Sequence, residues 1–313
     1  MILTVTLNAA LDLTYHLDRL RPHASNRVGA VAARAGGKGI NVSRVLHALG
    51  HETVVTGLAG GLTGTAVHRE LTAAGLTNNL VPIGGETRRT VAVVDEQLGD
   101  TTILLEPGPV VTADEWTQFL YQYDKLVAQA AAVVLAGSLP VGVPANAYAE
   151  LIRRARVHHV PAVLDADGQA LRAGLSEAPA LIKPNASELA AASGSSDLHA
   201  GAAALRAAGA QAVVASAGPD GMIACALQGS WRARPPQHLA GNPTGAGDAA
   251  VAALTLGLIQ GTPWPVRLTE AVALSAAAVA APLAGDFDAT IRRKLREAIT
   301  VEPLPALKRQ TAS

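Results

Sequence analysis

From Thr112 to Gly218 the chain alternates short, almost wholly apolar runs with longer segments of helical periodicity, and no other feature restricts the fold as much. The apolar runs read AAVVLAG, PAVLDA, ALIKP and AQAVVASAG, and the spacing predicts helices near Asp114–Gln129, Pro144–Val157 and Leu198–Ala208. Strands without a polar face must be covered on both sides, and strands joined through helices run parallel. The expected class is therefore α/β, a doubly wound, mostly parallel sheet with helices on both faces. Such sheets bind ligands in the crevice beyond the carboxyl ends of their strands. The polar residues fall at those ends: Gly137–Ser138, Asp165 and Asp167, Lys183–Pro184–Asn185, and Ser216–Ala217–Gly218 follow the four runs.

The earlier part of the chain is more varied. Ile2–Leu7 reads as a first strand, with Asn8 and Asp12 near its carboxyl end. Residues 14–34 alternate loosely, as short strands of an exposed flap would. Val42, Val45, Leu46 and Leu49 then fall at helical spacing, and Gly50 stops that helix. A strand (ETVVTGLAG) and a helix from about Thr63 to Ala74 follow. The stretch LVPIGGETRRTVAVVDEQLGDTTILLEPGP predicts a pair of hairpins turning at Gly84–Gly85 and Gly99–Asp100.

Chemistry concentrates in NPTGAGDAA, Asn242 to Ala250, which feeds the apolar helix VAALTLGLI. Gly245 and Gly247 allow a tight turn and close approach to a ligand. The amides of Gly245, Ala246 and Gly247 would lie at a helix N-terminus, a natural anion site. A carboxylate there, Asp248, suits a general base that takes a proton from a hydroxyl attacking a phosphoryl group. An ordinary helix cap with an acid in its first turn would look the same. GAGDAA also matches the dinucleotide fingerprint, but that fingerprint follows an apolar strand, whereas QHLAGNPT is polar and broken by Pro243.

Two further stretches carry polar chemistry. In AGGKGINVSRVLHALG, glycines surround Lys38 at a helix start. It is not a Walker loop, because Ala32 stands at its first glycine and Gly39 replaces the Ser/Thr after the lysine. In KPNASEL, Asn185 and Glu188 share a helix face and suit Mg²⁺, directly or through water. They equally fit a capping box. Arg88 and Arg89 precede a strand whose alternation sends only one of them to a given face.

Bulk composition removes several classes. The formal net charge is zero, so no global field favours nucleic acid or an anionic membrane. One cysteine, Cys225, excludes an intrachain disulfide framework and a cysteine zinc site. No signal sequence is recognised, and AVALSAAAVAAPLAG is too short and is broken by Pro282, so a cytoplasmic setting is expected.

In order along almost the whole chain, TLNAALD, GGKGINVSRVL, TRRT, EPGP, LAGSLP, LDADG, KPNASEL, SAGPDG and GAGDA resemble the phosphofructokinase B branch of the ribokinase superfamily. GGKGINVSRVL, GSLP and KPNASEL are most similar to the 1-phosphofructokinase and tagatose-6-phosphate kinase group. The resemblance implies one ribokinase-like kinase domain over residues 1–313 with a small β lid from about 12–35 and 85–106. It implies ATP and Mg²⁺, a sugar-phosphate substrate, and a homodimer contact through the lid. It implies that Asp12, Gly37, Lys38 and Asn41 contact the sugar, and that Arg27 and Arg88 contact its phosphate. Asn185 and Glu188 would organise Mg²⁺, with Asn185, Ser216, Gly218 and Gly221 on the nucleotide side. Gly245, Ala246 and Gly247 would form the anion hole, with Asp248 as base. The expected reaction is fructose 1-phosphate to fructose 1,6-bisphosphate. Alternatives are a tagatose-6-phosphate or 6-phosphofructokinase, a kinase of an unphosphorylated sugar, or a non-catalytic sugar-phosphate-binding regulator. One departure stands out: the family usually has Asn-Pro-Ala where this chain has Asn8-Ala9-Ala10, which frees φ before Asp12.

Overall fold

A computed structural model describes residues 1–239 and 241–307. Fourteen strands are present among them: β1 (Ile2–Thr6), β2 (Ala10–Leu17), β3 (Ala30–Gly36), β4 (Thr53–Gly60), β5 (Thr77–Ile83), β6 (Arg88–Asp95), β7 (Asp100–Leu105), β8 (Ala132–Ala136), β9 (Ala162–Asp165), β10 (Leu181–Ile182), β11 (Val213–Ser216), β12 (Met222–Ala226), β13 (Gly229–Arg234) and β14 (Thr300–Leu304). The helices are α1 (Lys38–Ala48), α2 (Gly61–Ala73), α3 (Ala113–Val127), α4 (Ala147–Val157), α5 (Gly168–Leu175), α6 (Ala186–Ser193), α7 (Leu198–Ala207), α8 (Ala246–Ile259), α9 (Trp264–Val279) and α10 (Ala289–Ala298).

Ten strands form one sheet in the order β14-β13-β12-β11-β10-β9-β8-β1-β4-β5. Pairing is parallel from β5 to β11 and antiparallel from β11 to β14. This is the doubly wound sheet that the apolar runs predict. The chain leaves β1 for β4 on one side and returns to β8 on the other, so a crevice opens beside the end of β1.

Helices cover both faces. Phe119, Tyr123, Tyr148 and Leu151 of α3 and α4 pack with Leu135 and Leu164 on one side. Val45 and Leu46 of α1, Val251 and Leu254 of α8, and Leu268 and Leu274 of α9 pack on the other. Helix α8 is buried from Asp248 through Thr255 because it is apolar on every side and lies between α1 and α9. No helix among the described residues is long and apolar enough to cross a membrane.

A second, four-stranded sheet has the order β3-β2-β6-β7, with β2 antiparallel to β3 and parallel to β6. Its four strands lie within residues 10–36 and 88–105. One expectation fails: Gly84–Gly85 does not turn a hairpin. β5 pairs parallel with β4 at the edge of the large sheet, and the glycines carry the chain across to the small sheet, where β6 meets β2. Turn residues mark a change of direction without saying which strand follows beside which. The β6–β7 hairpin does form, and the Asp95 carboxylate accepts from the amides of Gln97 and Leu98 inside its turn.

Candidate active site

The N-terminus of α8 is built by a turn over Asn242–Gly245. The Asn242 side chain accepts from the Thr244 amide at 3.0 Å, and Gly245 caps the helix at φ 85°, a conformation costly for a residue with a Cβ. The Ala246 amide is used within this turn, donating to the Pro243 carbonyl at 3.2 Å. It is therefore not free for an anion as the sequence suggests. The amides of Gly245 and Gly247 have no hydrogen-bond partner among the described residues and remain available.

Asp248 follows in the first turn of α8 and is buried. Asn41 Nδ2, on α1, donates to Asp248 Oδ2 at 2.8 Å. The structure thus places Asn41 against the acid. Burial first, and then the nearby Asp165 carboxylate, push Asp248 up to about 7 against the pull of Asn41, Lys38 and Lys183. A pKa near neutral suits a residue that must both take and release a proton.

Around it lies a set of alternating charges. Lys38 Nζ is 3.2 Å from Asp165 Oδ1 and 4.0 Å from Glu188 Oε1. Lys183 Nζ is 3.8 Å from the same Asp165 oxygen, and both Lys183 and Asp165 are buried. Burial pulls the Lys38 ammonium down, but Asp165, Glu188 and Asp248 together outweigh it and hold it above its ordinary value. Asp165 and Lys183 are functional candidates that sequence reasoning leaves unassigned; their only signal is their position at the ends of β9 and β10.

Of the six expected sugar contacts, Gly37, Lys38 and Arg88 line one cavity, and Asp12 and Asn41 are not part of its wall. Thr6, Asn8, Lys38, Arg88, Ser138 and Asp167 line a cavity of about 180 Å³. Arg88 Nε donates to the Asn8 carbonyl at 3.3 Å and Arg88 Nη1 to Thr90 Oγ1 at 3.4 Å. Arg89 points away and pairs with Glu106, as strand alternation requires. Asp12 lies against Gly36, where a Cβ would come within 1.8 Å of its carboxylate and push that side chain aside. Burial raises the Asp12 pKa, and the Thr90 hydroxyl with Arg88, Arg44 and Arg34 partly offsets it. Gly37 lines the same cavity as the N-cap of α1. Arg27 does not join this group: it is exposed in the segment between β2 and β3 and is absent from the cavity wall.

On the other side, Asn185 and Glu188 form a reciprocal capping box on α6. Both expectations for this pair can hold, since Glu188 Oε2 accepts from the Asn185 amide while Oε1 faces Lys38. Asn185 bridges Ser216, and Gly218–Asp220 form the next turn, which Gly221 ends. Ser216 therefore lies beside Asn185, with Gly218 and Gly221 following it in the chain. No cluster of three or more His, Cys, Asp or Glu among the described residues could hold a metal alone. That donor set fits Mg²⁺, which is commonly held by one or two carboxylates plus water and substrate phosphates.

Far along the chain, Arg34 of β3 grips Asp286 with two hydrogen bonds of 2.7 and 2.8 Å and donates to the Ala284 carbonyl. Ala284 lies against Gly245. The small sheet is thus fastened to the loop that backs the α8 turn.

A mostly parallel sheet with a buried acid at a helix N-terminus in its crevice, roofed by a small β sheet, is the ribokinase-like architecture of small-molecule kinases. Residues 5–290 match the pfkB family of carbohydrate kinases, and the chain belongs to that family. It is an ATP-dependent sugar kinase. Phosphofructokinase-2 from Escherichia coli, solved with fructose-6-phosphate, superposes with a TM-score of 0.87 at 28% identity, covering 95% of this chain and 98% of that one. The same enzyme has been solved in a tetrameric inhibited form. A possible 1-phosphofructokinase from Thermotoga maritima superposes with a TM-score of 0.86 at 28% identity, covering 97% of this chain and 100% of that one.

Proposed function

We propose that this enzyme transfers the γ-phosphoryl group of ATP to a phosphorylated ketohexose, with fructose 1-phosphate as the leading substrate and fructose 1,6-bisphosphate as product. The observation that carries the reading is the junction of two sites in one crevice. The buried Asp248, poised near neutrality, stands at the α8 turn, and Lys38 reaches from its charge cluster into the cavity that Arg88 lines. A kinase for a free sugar needs no cations at the sugar end, whereas a second phosphate needs a fork such as arginine.

The substrate hydroxyl attacks the γ-phosphorus, forming a new O–P bond as the bond to the β-phosphate oxygen breaks and ADP leaves. Asp248 takes the hydroxyl proton and later releases it to solvent. Asn41 holds the carboxylate in place through its 2.8 Å hydrogen bond. The Gly245 and Gly247 amides with Lys183 stabilise the charge that develops on the phosphoryl oxygens. Glu188, through water, and Asn185 would hold Mg²⁺, which supplies charge neutralisation to the phosphates when bound. Asp12 would orient sugar hydroxyls, Arg88 and Lys38 the existing phosphate, and Ser216, Gly218 and Gly221 the nucleotide.

The GGKGINVSRVL and KPNASEL stretches favour fructose 1-phosphate, with tagatose 6-phosphate or fructose 6-phosphate as the second reading. The exposed Val31, Ile103, Leu104 and Leu105 of the small sheet support a homodimer through the lid. A kcat/KM panel over fructose 1-phosphate, fructose 6-phosphate, tagatose 6-phosphate and free fructose tests the assignment. A preference for free fructose would overturn it.

A further inference from the structure

A second cavity lies away from the crevice. About 290 Å³ of space opens between the carboxyl half of α8, the start of α9 and α10, beside the end of α1. Its α8 wall runs from Ala253 to Gln260, five to twelve residues past Asp248, which is about 8 to 18 Å along a helix, and it shares no lining residue with the crevice cavity. The space is therefore separate from the phosphoryl-transfer site.

Its lining is charged on one side and apolar on the other. Arg267, Arg292, Arg296 and Glu270 share it with His51, while Leu49, Leu256 and Leu274 contribute apolar wall. Glu270 is already engaged by both Arg292, at 3.0 Å, and Arg296. Three guanidinium groups against one carboxylate leave an excess of two positive charges. Arg267 is only 8% exposed and faces no carboxylate. Its Nη2 donates to the Thr262 carbonyl at 3.0 Å and its guanidinium lies over the Trp264 ring, yet its Nε has no hydrogen-bond partner among the described residues. Arg292 Nε is likewise buried and unpartnered. Burial alone depresses the Arg267 guanidinium. A buried cation without a counter-charge is costly, and an anion seated there removes the cost.

We propose that this cavity is a second, non-catalytic anion site that takes a phosphate dianion, free or carried as a small monoester, with an ester's carbon chain resting on the Leu49–Leu256–Leu274 wall. The excess of two charges matches a dianion better than a single carboxylate. The volume lies at the lower end of small-molecule pockets and suits a ligand of a few carbons. Forked donors are the usual partners of phosphate oxygens.

Calorimetric titration of the full chain with inorganic phosphate, at constant ionic strength set by potassium chloride, tests this. Parallel titrations use Arg88→Ala, which removes one cation of the crevice, and two changes in the cavity, Gln260→Glu and Arg292→Gln. Gln260 is exposed, so Gln260→Glu adds a repelling charge without disturbing the core. Phosphate binding should persist in Arg88→Ala. It should weaken about 10-fold or more in Gln260→Glu, and about 10- to 150-fold in Arg292→Gln, the range for one charged hydrogen bond. A second titration with glycerol 1-phosphate separates a free-phosphate site from an ester site, since only the latter binds the ester more tightly. Phosphate binding that vanishes in Arg88→Ala, or that neither cavity change weakens, would overturn the proposal. So would the absence of any binding above the chloride background.

Discussion

Asp248→Asn should cripple the enzyme and at the same time stabilise it, by an amount that depends on pH. The acid is raised from 3.8 to about 7 by burial and by Asp165. A shift of about three pKa units, at about 1.36 kcal/mol each, makes ionisation in the folded state cost roughly 4 kcal/mol. Asparagine has the shape of the neutral acid and escapes that cost while still accepting from Asn41. Because the folded pKa is the higher one, the unfolded chain gives up the proton first. Below about pH 4 parent and variant should melt together, and from there to about pH 7 the parent should lose stability relative to the variant. Above about pH 7 the gap should be constant. For 313 residues the unfolding entropy is about 0.66 kcal/mol/K, so the full effect is about 6 °C. Differential scanning calorimetry at pH 5 and pH 8 measures it, alongside a kcat expected to fall about 10²-fold or more. A melting difference that is equal at both pH values, or a variant that melts lower at pH 8, would refute the reasoning. Near-parent kcat would reduce Asp248 to a helix-start residue.

Arg88→Ala should lower kcat/KM for fructose 1-phosphate by about 10- to 150-fold and barely change any weak activity on free fructose, as steady-state kinetics on both sugars would reveal. Glu188→Gln keeps an oxygen for the capping box, so its melting temperature should stay close to that of the parent while the Mg²⁺ titration of activity moves to higher concentration. Overlapping Mg²⁺ curves would leave Glu188 with a capping role alone. Hydrogen exchange over residues 85–106 should slow when sugar phosphate and a nucleotide analogue bind together, because closure excludes water from the transferred group.

The large sheet was legible in the sequence because burial on both faces demands unbroken apolar runs, and AAVVLAG and AQAVVASAG have nothing else to be. The loop before α8 was equally legible, since Gly245 and Asp248 lie only three residues apart in the chain. What the sequence hid are the partnerships across it. Asn41 reads as a polar residue in a helix start, and only the packing of α1 on α8 brings it to Asp248. Asp165 and Lys183 read as strand ends, and their shared contact depends on β9 and β10 being neighbours. The fork from Arg34 to Asp286 joins residues from nearly opposite ends of the chain, with no local pattern to announce it. Arg27 shows the converse: a cation in the right segment that the fold leaves at the surface.

The parallel pairing of β2 with β6 has a consequence for how the protein is made and lost. Ala10 meets Arg88 and Leu17 meets Asp95, so the small sheet has no centre until β4, α2 and β5 have been laid down between them. Strand β7 is also exposed along its whole length, and a segment with so few buried contacts opens before the core does. Trp116, Trp231 and Trp264 all lie in α3, β13 and α9, outside the small sheet. Tryptophan fluorescence is therefore blind to the part of the molecule that fails first. In rising urea, turnover should disappear while the emission spectrum still reports an intact protein, and the interval between the two curves is the range in which the body stands without its roof.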